Sequence, residues 1–149
     1  MSFDYSWKLR ETLTRTEAAK HSLLKWKELL RLRKRAETRP DSAFAVLFDN
    51  SGSSTCALCA LFFHYGRERE GSCRGCPLFE IGYGCVPEVY KIANRKPKYR
   101  GDHSPYVNVV DNDRSFSVIA ITRMVKHLEK AVAWAKKHED GTQYSVRYV

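Results

Sequence analysis

Cys56-Ala57-Leu58-Cys59, Cys73-Arg74-Gly75-Cys76-Pro77 and Gly84-Cys85 contain all five cysteines of a 149-residue chain. Two Cys-x2-Cys pairs with thirteen residues between them match the spacing of a tetrahedral thiolate zinc site. Two intervening residues let both sulfurs of a pair turn to one point, and the connecting loop brings the two grips together. The default ligand set is Cys56, Cys59, Cys73 and Cys76, with Cys85 either a spare thiol or a replacement for one of them. His64, five residues after Cys59, is a further candidate, although the sulfurs already suffice. The expectation is a structural zinc that staples the fold, since five thiols can close the shell that a catalytic zinc leaves open.

Two other readings of the cluster rank below zinc. Disulfides need an oxidising compartment, yet Met1-Ser2-Phe3-Asp4-Tyr5 leads into a charged helical pattern with no signal peptide, and an odd cysteine count leaves one unpaired. An iron–sulfur cluster also takes four thiolates, and the Cys76-Pro77 step is found in ferredoxins, but those bunch three cysteines within a few residues.

Length and composition allow a single domain over residues 1–149, with 43% hydrophobic residues, enough for a core. No stretch has the run of apolar residues that a membrane span needs. The expectation is a soluble, cytoplasmic protein with no membrane partner.

Charge is the second clue. Lys and Arg total 26 against 17 Asp and Glu, a net +9, and a surplus of that size favours polyanionic partners or complexes that contain them. From Lys20 to Arg39 there are eight basic residues against Glu28 and Glu37, and from Lys91 to Arg100 five with no acid. Asp49 to Tyr90 has three arginines against five acids, so the cysteine segment is not the basic surface. The candidate contact residues are Lys25, Lys27, Arg31, Arg33, Lys34, Arg35 and Arg39, with Arg95, Lys96, Lys98 and Arg100.

Periodicity supplies the frame. Thr14 or Thr16 caps a basic amphipathic helix over 14–36, with Ala19, Leu23, Trp26 and Leu30 as its apolar stripe. Self-repulsion within Arg31-Leu32-Arg33-Lys34-Arg35 disfavours that helix unless an anion, a partner or acidic side chains compensate. Proline at position 40 ends it. Ala43 to Phe48 fits a strand or a helical turn equally, and Ser53, Ser54 or Thr55 caps a helix carrying Cys59. The cysteine-rich segment 56–85 is rich in glycine, as tight turning around a metal requires. Pro87 to Asn94 reads as a short helix and Lys96 to Gly101 as a basic loop. A second amphipathic helix spans 117–138, with Ile121, Met124, Val125, Leu128, Val132 and Ala135 at helical spacing. Tyr144, Val146 and Tyr148 alternate as a final strand. The fold class is α-rich, with α+β open: two long helices packed around a zinc-stapled, glycine-rich loop segment.

Lys20-His21-Ser22-Leu23-Leu24-Lys25-Trp26, then Cys56-Ala57-Leu58-Cys59, Cys76-Pro77-Leu78, Gly84-Cys85 and a helix through Met124 and Leu128, resembles small cysteine-rich proteins encoded by bacteriophages. The likeness covers roughly two-thirds of the chain. It implies a zinc-binding phage protein in the host cytoplasm, and supplies a setting rather than a mechanism. After Cys85 the family pattern has a proline and tyrosine pair, where this chain has Val86-Pro87-Glu88-Val89-Tyr90, so the alignment there is weakest.

An HNH-like nuclease ranks low. Asp102-His103 with Asn108 and Asn112 superficially fits, but both cysteine pairs come first and the next histidine is His127, too far on for a second metal ligand. Asp102-His103-Ser104-Pro105 reads more simply as a turn. No Walker motif, Gly-x-Gly-x-x-Gly or nucleophile elbow is present. The expected function is therefore non-enzymatic binding: inhibition or modulation of a host protein or ribonucleoprotein complex, such as a defence nuclease or transcription machinery, through the basic surface. The alternative is direct DNA or RNA binding, with Trp26, Tyr99 or Tyr106 available to stack on bases.

Overall fold

The computed structural model describes residues 3–35, 46–47, 49–62, 73–101, 103–110 and 116–147. Helix dominates, as expected: α1 (Arg15–Arg35), α2 (Ala57–Phe62), α3 (Pro77–Glu80), α4 (Glu88–Ile92), α5 (Pro105–Val110) and α6 (Val118–Lys137). Strands β1 (Thr12–Leu13) and β2 (Tyr144–Ser145) pair antiparallel, with Thr12 opposite Ser145 and Leu13 opposite Tyr144. Val46 and Leu47, from the apolar run that fitted either state, are helical. Arg39, Pro40, His64, Asp102, Asn112 and Tyr148 lie outside the described residues.

Both long helices start where local chemistry dictates. At α1 the Thr14 amide donates to Glu17 Oε1 (3.0 Å) and the Glu17 amide donates to Thr14 Oγ1 (3.1 Å). This reciprocal capping box satisfies backbone donors that the first turn leaves orphaned. At α6 the Ser117 hydroxyl accepts from the Ala120 amide (3.0 Å), and His138 closes the helix at the C-terminal end.

The two helices run antiparallel and form the principal packing of the molecule. Arg15 Nη2 donates to the His138 carbonyl (2.9 Å) at one end, and Arg33 Nε to the Phe116 carbonyl (3.0 Å) at the other. Arg33 follows Arg15 by eighteen positions, about five helical turns, so both point from the same side of α1. Between these ties Ala18, Trp26 and Leu29 of α1 and Ile121, Leu128, Ala131 and Ala135 of α6 are all buried. Full burial of each large aliphatic chain contributes about 1.5–3 kcal/mol.

The buried face of α1 differs from the sequence expectation. Ala18, Ala19, Ser22, Lys25, Trp26 and Leu29 are buried, whereas Leu23 and Leu30 are only half-buried and Leu24 is 56% exposed. The face is turned by about one residue, which brings a hydroxyl and an ammonium inward. They meet the cysteine segment, which packs beneath the helix pair through α2 on α1 and α3 and α5 on α6. Among the described residues no helix is long and apolar enough to cross a membrane.

Candidate metal centre

The three cysteine segments reach one place by different local devices. Cys56 ends a 3-10 turn over Ser53–Thr55, and its carbonyl accepts from the Ala60 amide (3.1 Å). Cys59 follows three residues later on α2 and so shares its side of the helix. The second pair sits on a tight turn closed by the Cys76 amide donating to the Cys73 carbonyl (3.0 Å). Cys73 adopts φ 59° and Gly75 φ 88°. For Cys73 the left-handed conformation costs roughly 1–2 kcal/mol, which the surroundings must offset. Glu80 contributes, accepting from the Gly75 amide (3.0 Å) while Arg95 Nη1 donates to its other oxygen (3.1 Å). Cys76 is the N-cap residue of α3 with Pro77 opening the helix, a position that needs no amide donor.

Cys85 is held by hydroxyls. Tyr90 OH accepts from the Gly84 amide (2.7 Å) and donates to the Phe79 carbonyl (2.9 Å), and Tyr99 OH donates to the Gly84 carbonyl (3.0 Å). A Cβ on Gly84 would stand 3.1 Å from the Tyr90 ring, so the close approach favours glycine. Ser104 Oγ donates to the Cys85 carbonyl (2.6 Å) and accepts from the Val107 amide (3.0 Å). One hydroxyl thereby caps α5 and anchors the fifth cysteine.

All five cysteines line one cavity of about 230 Å³, walled also by Ser22, Lys25 and Trp26 of α1 and Met124 and Leu128 of α6. None of the five is in a disulfide. Among the described residues no three His, Cys, Asp or Glu side chains are grouped closely enough to form the shell of one ion. The thiols share a wall rather than a point. Donor type and number nonetheless fit a thiolate-bound metal, and so does the charge opposite them. Zinc here would draw its ligands from Cys56, Cys59, Cys73, Cys76 and Cys85 and would supply cross-linking of three chain segments.

That opposite charge is Lys25, which the sequence reading places on the contact surface. It is only 5% exposed. Its Nζ donates to Thr55 Oγ1 (3.2 Å) and lies 5.4 Å from the Trp26 ring centroid. Burial pulls its pKa down, while Cys56, Cys59 and Cys85 in thiolate form would push it up. Cys56 is held well below the ordinary thiol range, first by a hydrogen bond from Cys59 and further by the Lys25 charge, against burial. Its partner Cys59 is pushed up by the same bond and by burial. Burial raises Cys73 and Cys85 and pushes Cys76 up to about 12.

Other predicted contact residues divide into engaged and outward-facing. Arg33 is tied to Phe116 and Arg31 is paired with Glu28 on its own helix. Arg95 pairs with Glu80 and stacks on Phe79, 4.7 Å from the ring centroid. Lys98 lays its stem over Gly82. Lys27, Lys34, Lys96 and Arg100 are exposed. Of the aromatic candidates for base stacking, Trp26 is 2% exposed and packs edge-on to Tyr106 (6.3 Å), while Tyr99 and Tyr106 are half-buried and the Tyr99 hydroxyl is bonded to the Gly84 carbonyl. Of the nuclease candidates, His103 is exposed and its carbonyl accepts from Asn108 (3.4 Å).

The sequence reading misses the outer face of α6 as a functional candidate. Arg123, Lys126, Lys130 and Lys137 are exposed there, and on α1 Lys20, Lys27 and Lys34 recur every seven residues along the exposed side. Together α1 and α6 carry thirteen Lys and Arg against three Glu. The rest of the chain therefore has thirteen basic and fourteen acidic residues. Comparisons with protein-family models, curated proteins and solved structures find no match to this chain.

Proposed function

We propose that this chain is a non-enzymatic, zinc-stapled binding protein that engages nucleic acid through the outer faces of α1 and α6. The observation that carries this reading is the segregation of charge: the two long helices hold a net +10 while the remainder of the chain sums to −1. Lys20, Lys27 and Lys34 with Arg123, Lys126, Lys130 and Lys137 present flexible cations on rigid helices, the arrangement that contacts phosphates without reading bases. The burial of Trp26 and the engagement of the Tyr99 hydroxyl with the Gly84 carbonyl favour backbone contact over stacking. The thiolate centre has the supporting role, holding the cysteine segment against the inner faces of the same helices.

Titration of the protein against naked duplex and single-stranded DNA and RNA at increasing salt tests this. The expected result is binding to many sequences whose logarithmic affinity falls linearly with the logarithm of salt concentration. No binding to naked nucleic acid, together with salt-sensitive capture of a nuclease-resistant host complex, would replace it with the phage-type reading, in which the basic surface meets an acidic groove of a host protein.

A further inference from the structure

A buried ammonium is costly unless something negative accompanies it. Lys25 is 5% exposed, and among the described residues no carboxylate pairs with it. Its hydrogen bond is to the neutral Thr55 hydroxyl (3.2 Å), which in turn donates to the Asn50 and Gly52 carbonyls (3.1 and 3.0 Å). The same cavity wall carries five thiols, a donor set that becomes anionic when it takes a metal, because the bound form is thiolate. Four thiolates on a divalent cation leave a formal charge of about −2. The two anomalies, a cation without an anion and a sulfur cluster that a metal would make anionic, face each other.

We propose that Lys25 is the built-in counter-ion of an all-thiolate metal centre formed by the cavity cysteines, and that its charge sets the affinity of that centre. This rests on the metal-staple reading above and extends it. An all-sulfur ligand set is the one that gains most from Lys25, since each histidine replacing a thiolate removes one negative charge from the centre. It also accounts for the inward turn of α1, which exposes Leu24 in order to bury Ser22 and Lys25, and for Ser22 Oγ lying 3.7 Å from Cys56 Sγ.

The test is chelator competition for zinc with the full chain and its Lys25→Met and Lys25→Gln variants, with urea unfolding of each in metal-free and zinc-loaded form. Wild type binds zinc. Both variants bind it about 10- to 100-fold more weakly, the usual effect of removing a group that supports metal ligands from behind, while their metal-free forms unfold at the same or a higher urea midpoint because a buried unpaired charge is gone. A purely structural lysine gives parallel losses in both forms, which would overturn the proposal. So would a glutamine variant that binds zinc as tightly as wild type. A wild type that binds no zinc fails the metal reading itself, whereas tight wild-type binding unaffected by either variant fails only the role of Lys25.

Discussion

Arg33 Nε donates to the backbone carbonyl of Phe116 at 3.0 Å, joining the last turn of α1 to the residue that precedes the Ser117 cap of α6. An arginine in a run of five basic-rich residues is thereby a structural tie rather than a free contact. Arg15 makes the equivalent tie at His138 (2.9 Å). Arg33→Ala is expected to lower stability by about 1–2 kcal/mol, the usual cost of a charge-assisted bond to a partly buried carbonyl. Lys34→Ala, exposed one residue on, is expected to stay within about 0.5 kcal/mol of wild type. Urea unfolding of the two variants decides it, and equal effects would contradict the assignment. Charge reversal across Arg31, Arg33 and Arg35 would consequently mix folding with binding.

The thiol centre predicts a different pattern. Cys59→Ser and Cys76→Ser each remove a ligand from a site whose metal-binding free energy is folding free energy. Both are expected to lose bound zinc and to melt well below wild type, and chelator treatment of wild type is expected to reproduce the loss. Retained stoichiometric zinc with unchanged melting in both variants would refute these ligands.

Tyr90 lies under the fifth cysteine. Tyr90→Phe removes the acceptor of the Gly84 amide and one donor to the Phe79 carbonyl; the carbonyl keeps the Gly82 amide (3.0 Å), whereas the buried Gly84 amide loses its partner. The expected cost is about 1–3 kcal/mol by chemical denaturation. A neutral substitution would mean that the Gly84–Cys85 segment is held by something else.

The capping box gives α1 an acid-sensitive start. Hydrogen bonds from the Thr14 amide and hydroxyl hold Glu17 below the ordinary glutamate range. A folded value lower than the unfolded one means stability that is complete above the unfolded value and lost as pH falls through the folded one. Glu17 is largely solvated, so the effect is small. Thr14→Ala is expected to cost about 1 kcal/mol at neutral pH, and Glu17→Gln to flatten the acid limb of the urea midpoint against pH. An unchanged acid limb in Glu17→Gln would contradict it.

The long elements are legible in the sequence because periodicity and caps agree. Val118–Lys137 matches its stripe almost residue for residue, since every inward position is apolar. For the opposite reason the inward face of α1 is foreseen only in part, Ala19 and Trp26 being buried as expected while Ser22, Lys25 and Leu29 lie deeper than Leu23 and Leu30. Its true spacing, Ala18, Ser22, Lys25 and Leu29, contains a hydroxyl and a charge that a hydrophobicity reading assigns to solvent, and only the five thiols across the cavity make sense of them. Helix α5 is not foreseen: the sequence reading stops at a turn over Asp102-His103-Ser104-Pro105, although Ser104-Pro105 carries both an N-cap hydroxyl and a proline at the first helical position. Strand β1 escapes a sequence reading as well, because two residues leave no periodicity to detect. That the cysteine pairs come to one cavity is foreseeable from spacing, whereas a lysine beside them is not.

The most direct measurement of the central claim is the salt-dependent affinity for duplex nucleic acid of wild type and two triple variants, Lys20→Glu/Lys27→Glu/Lys34→Glu on α1 and Lys126→Glu/Lys130→Glu/Lys137→Glu on α6. All six side chains are exposed, so folding and metal content should be retained. The account predicts that each triple weakens binding severely and makes the dependence on salt shallower, by roughly 0.9 in logarithmic slope for each phosphate that is no longer neutralised. Wild-type affinity and slope in both variants would contradict it.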